Sequence, residues 1–177
     1  MKKALYMLAE FSDRDFDWLL TAGRKKAVHA GSTLIREGEP TDALYIVLEG
    51  ALAVSLEAIG GKEVAKLGSG EVVGEMSFVD SRNPSATVKA AVDSLVWSIP
   101  RSQLATKLLQ DRDFASHFYH AVAVFLSDRL RGTMNPQGNL PPGSSNAVED
   151  MSPQIAKNIE LAEARLGWLL SRLKETF

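Results

Sequence analysis

The stretch from Asp42 to Gly50 is DALYIVLEG, a short apolar run that ends at a glycine. It is one of several short runs between Ala27 and about Pro100 that are interpreted as alternating apolar and polar positions, and two others are Leu52–Leu56 and Leu95–Ile99. Short strands separated by glycines are typical of an antiparallel β-sandwich or barrel, and Gly60–Gly61 is placed as a hairpin turn. The separating glycines are Gly31, Gly38, Gly50, Gly60, Gly61, Gly68, Gly70 and Gly74. The sequence therefore predicts a β core.

A helix is predicted just before this β region. Ser12 is placed to cap it, with Asp15 three residues further on as in a capping box. Phe11 can pack onto Phe16 across the cap, and Gly23 offers a stop.

Two more helices are predicted after Pro100. Ser102 can cap the first, a short helix that carries Leu104, Leu108 and Leu109. The second is a long helix over residues 111–131. One of its faces is strongly apolar because its large residues recur every three or four positions. They are Phe114, Phe118, Ala121, Val122, Phe125 and Leu126. This face predicts either a dimer contact or packing on the β core.

The C-terminal segment divides into a linker and a helix. Residues 132–151 are rich in Gly, Pro, Asn and Ser, which is typical of a flexible linker. Ser152 and Pro153 then form a good helix entry. The following apolar residues are alternately four and three positions apart, as in a heptad seam. They are Ile155, Ile159, Ala162, Leu166, Leu169 and Leu173. A coiled-coil or partner contact is one interpretation of this helix, and folding back onto its own domain is the other.

Three ordered motifs carry a family resemblance. They are GSTLIREGE at residues 31–39 followed by DALYIVLEG at 42–50, then GEMSF at 74–78, then SATV at 85–88. With them the chain resembles the cyclic nucleotide-binding domain family over roughly residues 8–131. The resemblance implies a fold that is mainly β with flanking helices. It implies a cyclic-nucleotide-binding-type β jelly roll, a double-stranded β-helix, with an N-terminal helix and two helices after it.

The resemblance also implies a ligand site, a phosphate-binding cassette that begins at Gly74. Gly74 would give backbone access to the phosphate, and Glu75 would accept hydrogen bonds from the ribose hydroxyl. Glycine suits such a close approach because it has no side chain. The remaining expected ligand-binding residues of the cassette are Met76, Ser77, Arg82, Ser85, Ala86 and Thr87. The implied ligands are cAMP, cGMP or another cyclic nucleotide.

The chain departs from the family at one position of this site. The family has an arginine immediately before the Ser-Ala-Thr stretch, and here that residue is Pro84. Loss of a charge-assisted partner of the phosphate typically costs several kcal/mol, so we expect weak binding of ordinary cAMP or cGMP. Arg82 is either a replacement for the phosphate clamp or a solvated loop charge.

Composition and charge exclude several other functions. The 177 residues include 20 basic and 22 acidic ones and have a net charge of −2, which argues against generic nucleic-acid binding. Zero cysteines exclude disulfides, thiolate metal sites and a cysteine nucleophile. His117 and His120 are three apart on the long helix, and we expect structural roles for them rather than a metal site. Too few residues follow Arg131 for the helix-turn-helix of family transcription factors, so we expect no DNA binding.

We therefore expect a cyclic nucleotide-binding-like domain over residues 1–131, a linker over 132–151 and an amphipathic heptad helix over 152–177. The functional expectation is a non-enzymatic, soluble, cytoplasmic regulatory protein without a membrane contact. It would form a homodimer through helix 111–131 and bind a protein partner through helix 152–177. The alternative is a structural or assembly module with a ligand-free jelly roll and a tethering helix.

Overall fold

The protein was analysed as a computed structural model, which describes residues 3–134 and 153–174. The helices are α1 (Lys3–Glu10), α2 (Asp13–Ala22), α3 (Met76–Val79), α4 (Arg101–Gln110), α5 (Arg112–Met134) and α6 (Pro153–Lys174). The strands are β1 (Arg24–Val28), β2 (Thr33–Ile35), β3 (Ala43–Glu49), β4 (Ala51–Leu56), β5 (Lys62–Gly68), β6 (Val72–Val73), β7 (Thr87–Ala90) and β8 (Ser94–Pro100).

The strands form two four-stranded antiparallel sheets. One has the order β1-β8-β3-β6 and the other the order β2-β7-β4-β5. The β3–β4 and β7–β8 connections cross from one sheet to the other. The tight β4–β5 connection passes through Gly60 and Gly61, both at φ +72°. The predicted β jelly roll with flanking helices is confirmed.

The core has two layers, and β3 contributes to both. Tyr45 and Val47 point into a cluster enclosed between the two sheets. Leu44, Ile46 and Leu48 point the other way, into a cluster shared with the helices. Successive side chains of a strand face opposite sides, so a strand covered on both faces is continuously apolar. This explains the unbroken LYIVL run.

The predicted capping box at the start of α2 is present. The Asp15 amide donates to the Ser12 hydroxyl at 3.2 Å, and the Ser12 amide donates to the Asp15 carboxylate at 2.9 Å. Burial alone would raise the pKa of Asp15. The hydrogen bonds with Ser12 and the His117 ring, whose Nδ1 lies 2.7 Å from Asp15 Oδ2, outweigh burial and lower that pKa. Gly23 ends the helix as predicted, where any side chain would overlap the Trp97 indole.

Helix α1 is an element that the sequence analysis did not predict. Its six residues from Ala4 to Ala9 are all buried in the helix-side cluster. It packs against α5 and α6. An apolar run of this length without polar alternation has no helical period, so only its neighbours identify it as a buried helix.

Helix α6 packs on its own domain. Ala162, Leu166 and Leu169 of the predicted heptad seam are buried in the helix-side cluster. Of the two interpretations left open for this helix, the described residues show the one in which it folds back. A partner contact through its remaining surface stays a prediction.

Other local predictions need correction. Ser102 does not cap α4, because the helix begins at Arg101 after Pro100 and has no side-chain cap. Leu109 is 86% exposed and does not pack. Helix α5 extends to Met134, three residues into the predicted linker, and the rest of that linker lies outside the described residues. Within the described part of the chain, no helix has the length and apolar character needed to cross a membrane.

Candidate functional site

The cassette begins at a turn that only glycine fits well. Gly74 follows β6 with φ +91°, and a Cβ there would lie 2.9 Å from the carbonyl oxygen of Ala43. That oxygen also accepts a hydrogen bond from the buried Thr41 hydroxyl at 3.0 Å. The backbone of the cassette therefore lies directly against the start of β3, where a residue with a Cβ would overlap the Ala43 carbonyl. The access of a phosphate expected at this glycine stays a prediction.

Ser77 holds the short helix α3 in place. Its hydroxyl donates to the Gly74 carbonyl at 3.0 Å and accepts from Arg101 Nη1 at 2.8 Å. Arg101 Nη2 also donates to the Ser77 carbonyl at 3.2 Å, and the guanidinium lies 4.8 Å from the centre of the Phe78 ring. Ser77 is buried, so these contacts give it a structural role in the cassette.

Glu75 is buried and has a cation as its partner. Its carboxylate Oε1 lies 3.8 Å from Lys3 Nζ at the start of α1. The same ammonium group lies 3.9 Å from Glu71 Oε2 and 6.0 Å from the centre of the Phe125 ring. The Glu75 carboxylate, which is expected to accept a hydrogen bond from a ribose hydroxyl, therefore forms an ion pair with a lysine of the same chain.

The loop before β7 joins two of the sequence motifs. The Gly38 amide donates to the Pro84 carbonyl at 2.9 Å, and the Asn83 side-chain amide donates to the Gly38 carbonyl at 2.7 Å. Arg82 points away from this junction. Its side chain is 85% exposed, and its Nε lies 3.8 Å from the Asp80 carboxylate.

The last motif ends at β7, where Thr87 is buried. Its hydroxyl accepts a hydrogen bond from the Glu37 amide at 3.1 Å. Ala86 packs partly against the cluster between the sheets, whereas Ser85 and Met76 are exposed. The buried polar residues of the cassette thus each contact another part of the chain. Glu75 pairs with Lys3, Ser77 with Arg101, and Thr87 with the Glu37 amide.

Tyr45 of β3 is buried in the cluster between the sheets. The Tyr45 hydroxyl donates to the Asp42 carboxylate at 2.5 Å. Burial, together with this carboxylate, raises the pKa of Tyr45, so the phenol is neutral at physiological pH.

Two residues of the site were missed by the sequence analysis. Lys3 and Arg101 contact the cassette from α1 and from the start of α4, far away in sequence. Neither belongs to a motif, and each is one of many basic residues. No local signal in the sequence distinguishes them.

The two histidines of α5 bind different carboxylates. His117 Nδ1 lies 2.7 Å from Asp15, and His120 Nδ1 lies 2.8 Å from Glu10. Among the described residues, no three His, Asp or Glu side chains converge as a metal site would require. An open groove of about 340 Å³ lies elsewhere, between α2 and α4, and none of its lining residues belongs to the cassette. They are Trp18, Ser102, Gln103, Thr106, Lys107 and Gln110.

Comparison with known proteins gives a consistent result. Residues 25–111 match the cyclic nucleotide-binding domain family. The chain is 30% identical over 124 residues to "Lysophospholipase nte1" of Emericella nidulans, which covers 69% of the chain and 8% of that protein. It is 39% identical over 82 residues to "cGMP-dependent protein kinase egl-4" of Caenorhabditis briggsae, which covers 45% of the chain and 10% of the kinase. The chain thus spans about a tenth of the length of these relatives.

A solved structure of similar extent also matches. It is the N-terminal domain of a transcriptional regulator from Streptomyces coelicolor, with 28% identity and a TM-score of 0.58. The match covers 74% of this chain and 92% of that domain.

Proposed function

The chain belongs to the cyclic nucleotide-binding domain family, and we propose that it is a non-enzymatic regulatory domain that acts through protein contacts and binds cAMP or cGMP only weakly. The observation that carries this proposal is the loss of a positive charge where the family has its phosphate-binding arginine. Pro84 stands at the family's arginine position, and Arg82 faces solvent beside Asp80.

The cost of the missing arginine is large compared with a typical affinity. Truncating one member of a buried charge pair costs about 2–5 kcal/mol, and micromolar binding corresponds to about 8 kcal/mol. A ligand that would bind at micromolar concentration with the arginine therefore binds about 30-fold to several thousand-fold more weakly without it. Pro84 also has no N–H to offer the phosphate.

The other cassette groups support the same proposal. Glu75 is paired with Lys3, and the Thr87 hydroxyl accepts from the Glu37 amide. A nucleotide would have to compete with these contacts or share them. These polar groups of the cassette therefore stabilise the fold and are less available to bind a phosphate.

Calorimetric titration with cAMP and cGMP tests the proposal. We expect no saturable binding near 10 micromolar in the natural chain, and at least tenfold tighter cAMP binding in a Pro84→Arg variant, because the arginine restores the counter-charge. Pro40→Arg is the matched control, since Pro40 is an exposed proline outside the cassette. Saturable cAMP binding by the natural chain at about 10 micromolar or tighter would contradict the proposal.

Homodimer formation through the long helix is part of the proposal. The large residues at Phe114, Phe118 and Phe125 are used inside the domain. The outer face of α5 carries a second apolar stripe of exposed or half-buried side chains, spaced four, three and four residues apart. They are Tyr119, Ala123, Leu126 and Leu130. This stripe extends about 16 Å along the helix and has the spacing of a coiled-coil seam.

Sedimentation equilibrium tests the dimer. We expect Leu130→Glu to shift the protein from dimer to monomer, because a buried, unpaired carboxylate disfavours the interface. Val64→Glu is the control, since Val64 on β5 is 48% exposed, similar to Leu130 at 55%. A natural chain that is monomeric at the highest concentrations would refute this part of the proposal.

A protein partner of α6 would meet its outer face. Leu161 and Trp168 are 46% and 42% exposed, and Ala164 lies between them on the same side of the helix. We propose this stripe as the partner contact, because the inner seam is already buried in the domain. If Leu161→Glu abolishes the binding of a protein partner while the fold stays intact, the result supports this contact. Unchanged binding by the variant would contradict it.

A further inference from the structure

Helix α1 is anchored at its N-terminal end to the cassette. The Ala4 amide donates to the Gly70 carbonyl at 2.8 Å, just before β6. Lys3 Nζ lies 3.8 Å from Glu75 and 3.9 Å from Glu71. The side chains of Lys3 and Glu75 are only 16% and 6% exposed, so this ion pair is largely removed from water.

The other end of α1 is anchored to α6. Arg165 Nη1 donates to the carbonyl oxygens of Leu8 and Phe11, and Nη2 binds the Asp13 carboxylate. The Arg165 side chain is 6% exposed, and its guanidinium lies 5.5 Å from the centre of the Phe16 ring. The last carbonyls of a helix have no partner inside the helix, and here a residue more than 150 positions away supplies one.

Between its contacts with the cassette and with Arg165, α1 is a short helix whose residues are buried. Its residues from Ala4 to Ala9 are buried together with Ala162, Leu166 and Leu169 of α6. A helix of eight residues does not form on its own in water. Its stability therefore depends on contacts at both ends, and a loss at one end weakens the other.

We propose that α1 couples the cassette to α6. The contact of the cassette with Lys3 and the docking of α6 through Arg165 then stabilise each other, because both hold the same short helix. The proposal deepens the regulatory function proposed above. It supplies the route by which an event at the cassette reaches the C-terminal helix. Lys3 and Arg165 are positioning residues in this scheme.

Removing the Lys3 charge is the direct perturbation. It would leave the buried Glu75 carboxylate without its partner, which favours opening of the cassette. Coupling between two sites is reciprocal, and coupling in proteins is typically about 5- to 150-fold in an equilibrium constant. A perturbation at Arg165 must therefore also be observed at the cassette.

Native-state hydrogen exchange of the full chain without nucleotide tests the proposal. We expect Lys3→Met to speed exchange of the α6 amides by about fivefold or more. We expect Arg165→Met to speed exchange of the α3 amides as well. The β3 amides report global unfolding, so the comparison uses α6 and α3 amides that exchange faster than those of β3, through local opening. Lys3→Arg keeps the charge and should leave α6 protected.

Lys107→Met is the matched control. The Lys107 side chain is 15% exposed and forms its own ion pair with Asp111 at 2.7 Å, but it contacts the Trp18 and Phe114 rings rather than the cassette. It should leave α6 exchange unchanged. Unchanged α6 exchange in Lys3→Met, or an effect in one direction only, would overturn the proposal. No nucleotide is added, so failure here is distinct from failure of the cAMP titration.

Discussion

Replacing Gly74 by alanine tests the close contact on which the cassette is built. Gly74 has φ +91°, and an added Cβ would lie 2.9 Å from the Ala43 carbonyl oxygen. Gly31 is a matched reference, because its φ is +82° and an added Cβ there would meet nothing within 4 Å. The two substitutions share the backbone strain, and only the first one adds a steric overlap.

The expected magnitudes follow from these two contributions. Left-handed backbone costs a residue with a Cβ roughly 1–2 kcal/mol, so Gly31→Ala should lower the free energy of unfolding by about that amount. Overpacking adds about 1–3 kcal/mol. The Ala43 carbonyl cannot move easily, because Ala43 pairs with Pro100 of β8 and its oxygen also binds Thr41. Gly74→Ala should therefore cost about 2–5 kcal/mol in all.

Urea denaturation followed by circular dichroism measures the difference. With a slope of about 2 kcal/mol/M, an additional 1 kcal/mol lowers the midpoint by about 0.5 M. We expect the Gly74→Ala midpoint to lie at least this far below that of Gly31→Ala. Equal midpoints for the two variants would refute the close approach of the cassette to β3.

Two further substitutions test the helical layer and its electrostatics. Leu169→Ala should lower the free energy of unfolding by about 2–5 kcal/mol, because Leu169 is 1% exposed. Leu161→Ala on the outer face should change it by less than about 0.5 kcal/mol, and equal effects would show that α6 is not docked. The pKa of Asp15 is lowered in the folded protein. Its carboxylate therefore stabilises the fold at pH values above the unfolded pKa of about 3.9. This stabilisation is lost as the pH falls through the folded pKa. Asp15→Asn should therefore destabilise most at pH 7 and progressively less on acidification, as measured by chemical denaturation at several pH values.

Local patterns were sufficient for most of the fold. Ser12 and Asp15 form the predicted capping box because both partners lie within one turn of helix. The short strand runs and the glycines between them predicted a β core, an antiparallel sandwich or barrel, since turn conformation depends on adjacent residues. The resemblance to the family narrowed this prediction to a jelly roll. The three ordered motifs place the predicted cassette between β6 and β7.

The helical layer was predicted less completely. Helix α1 has no period of its own, and Ser102 met the rule for a cap although the helix had already begun at Arg101. The seam of α6 was recognised from its spacing, but periodicity describes only the face that is apolar. What covers that face depends on the rest of the chain.

The sequence by itself thus determined most of the elements and the absence of an arginine at position 84. Only the tertiary structure decided that Lys3 pairs with Glu75, that Arg82 turns to solvent and that Arg165 caps α1. The physical reason is the range of the interaction. Caps, turns and strand periods depend on neighbours in sequence, whereas the partner of a charged side chain is set by which distant elements the packed core brings within a few ångströms.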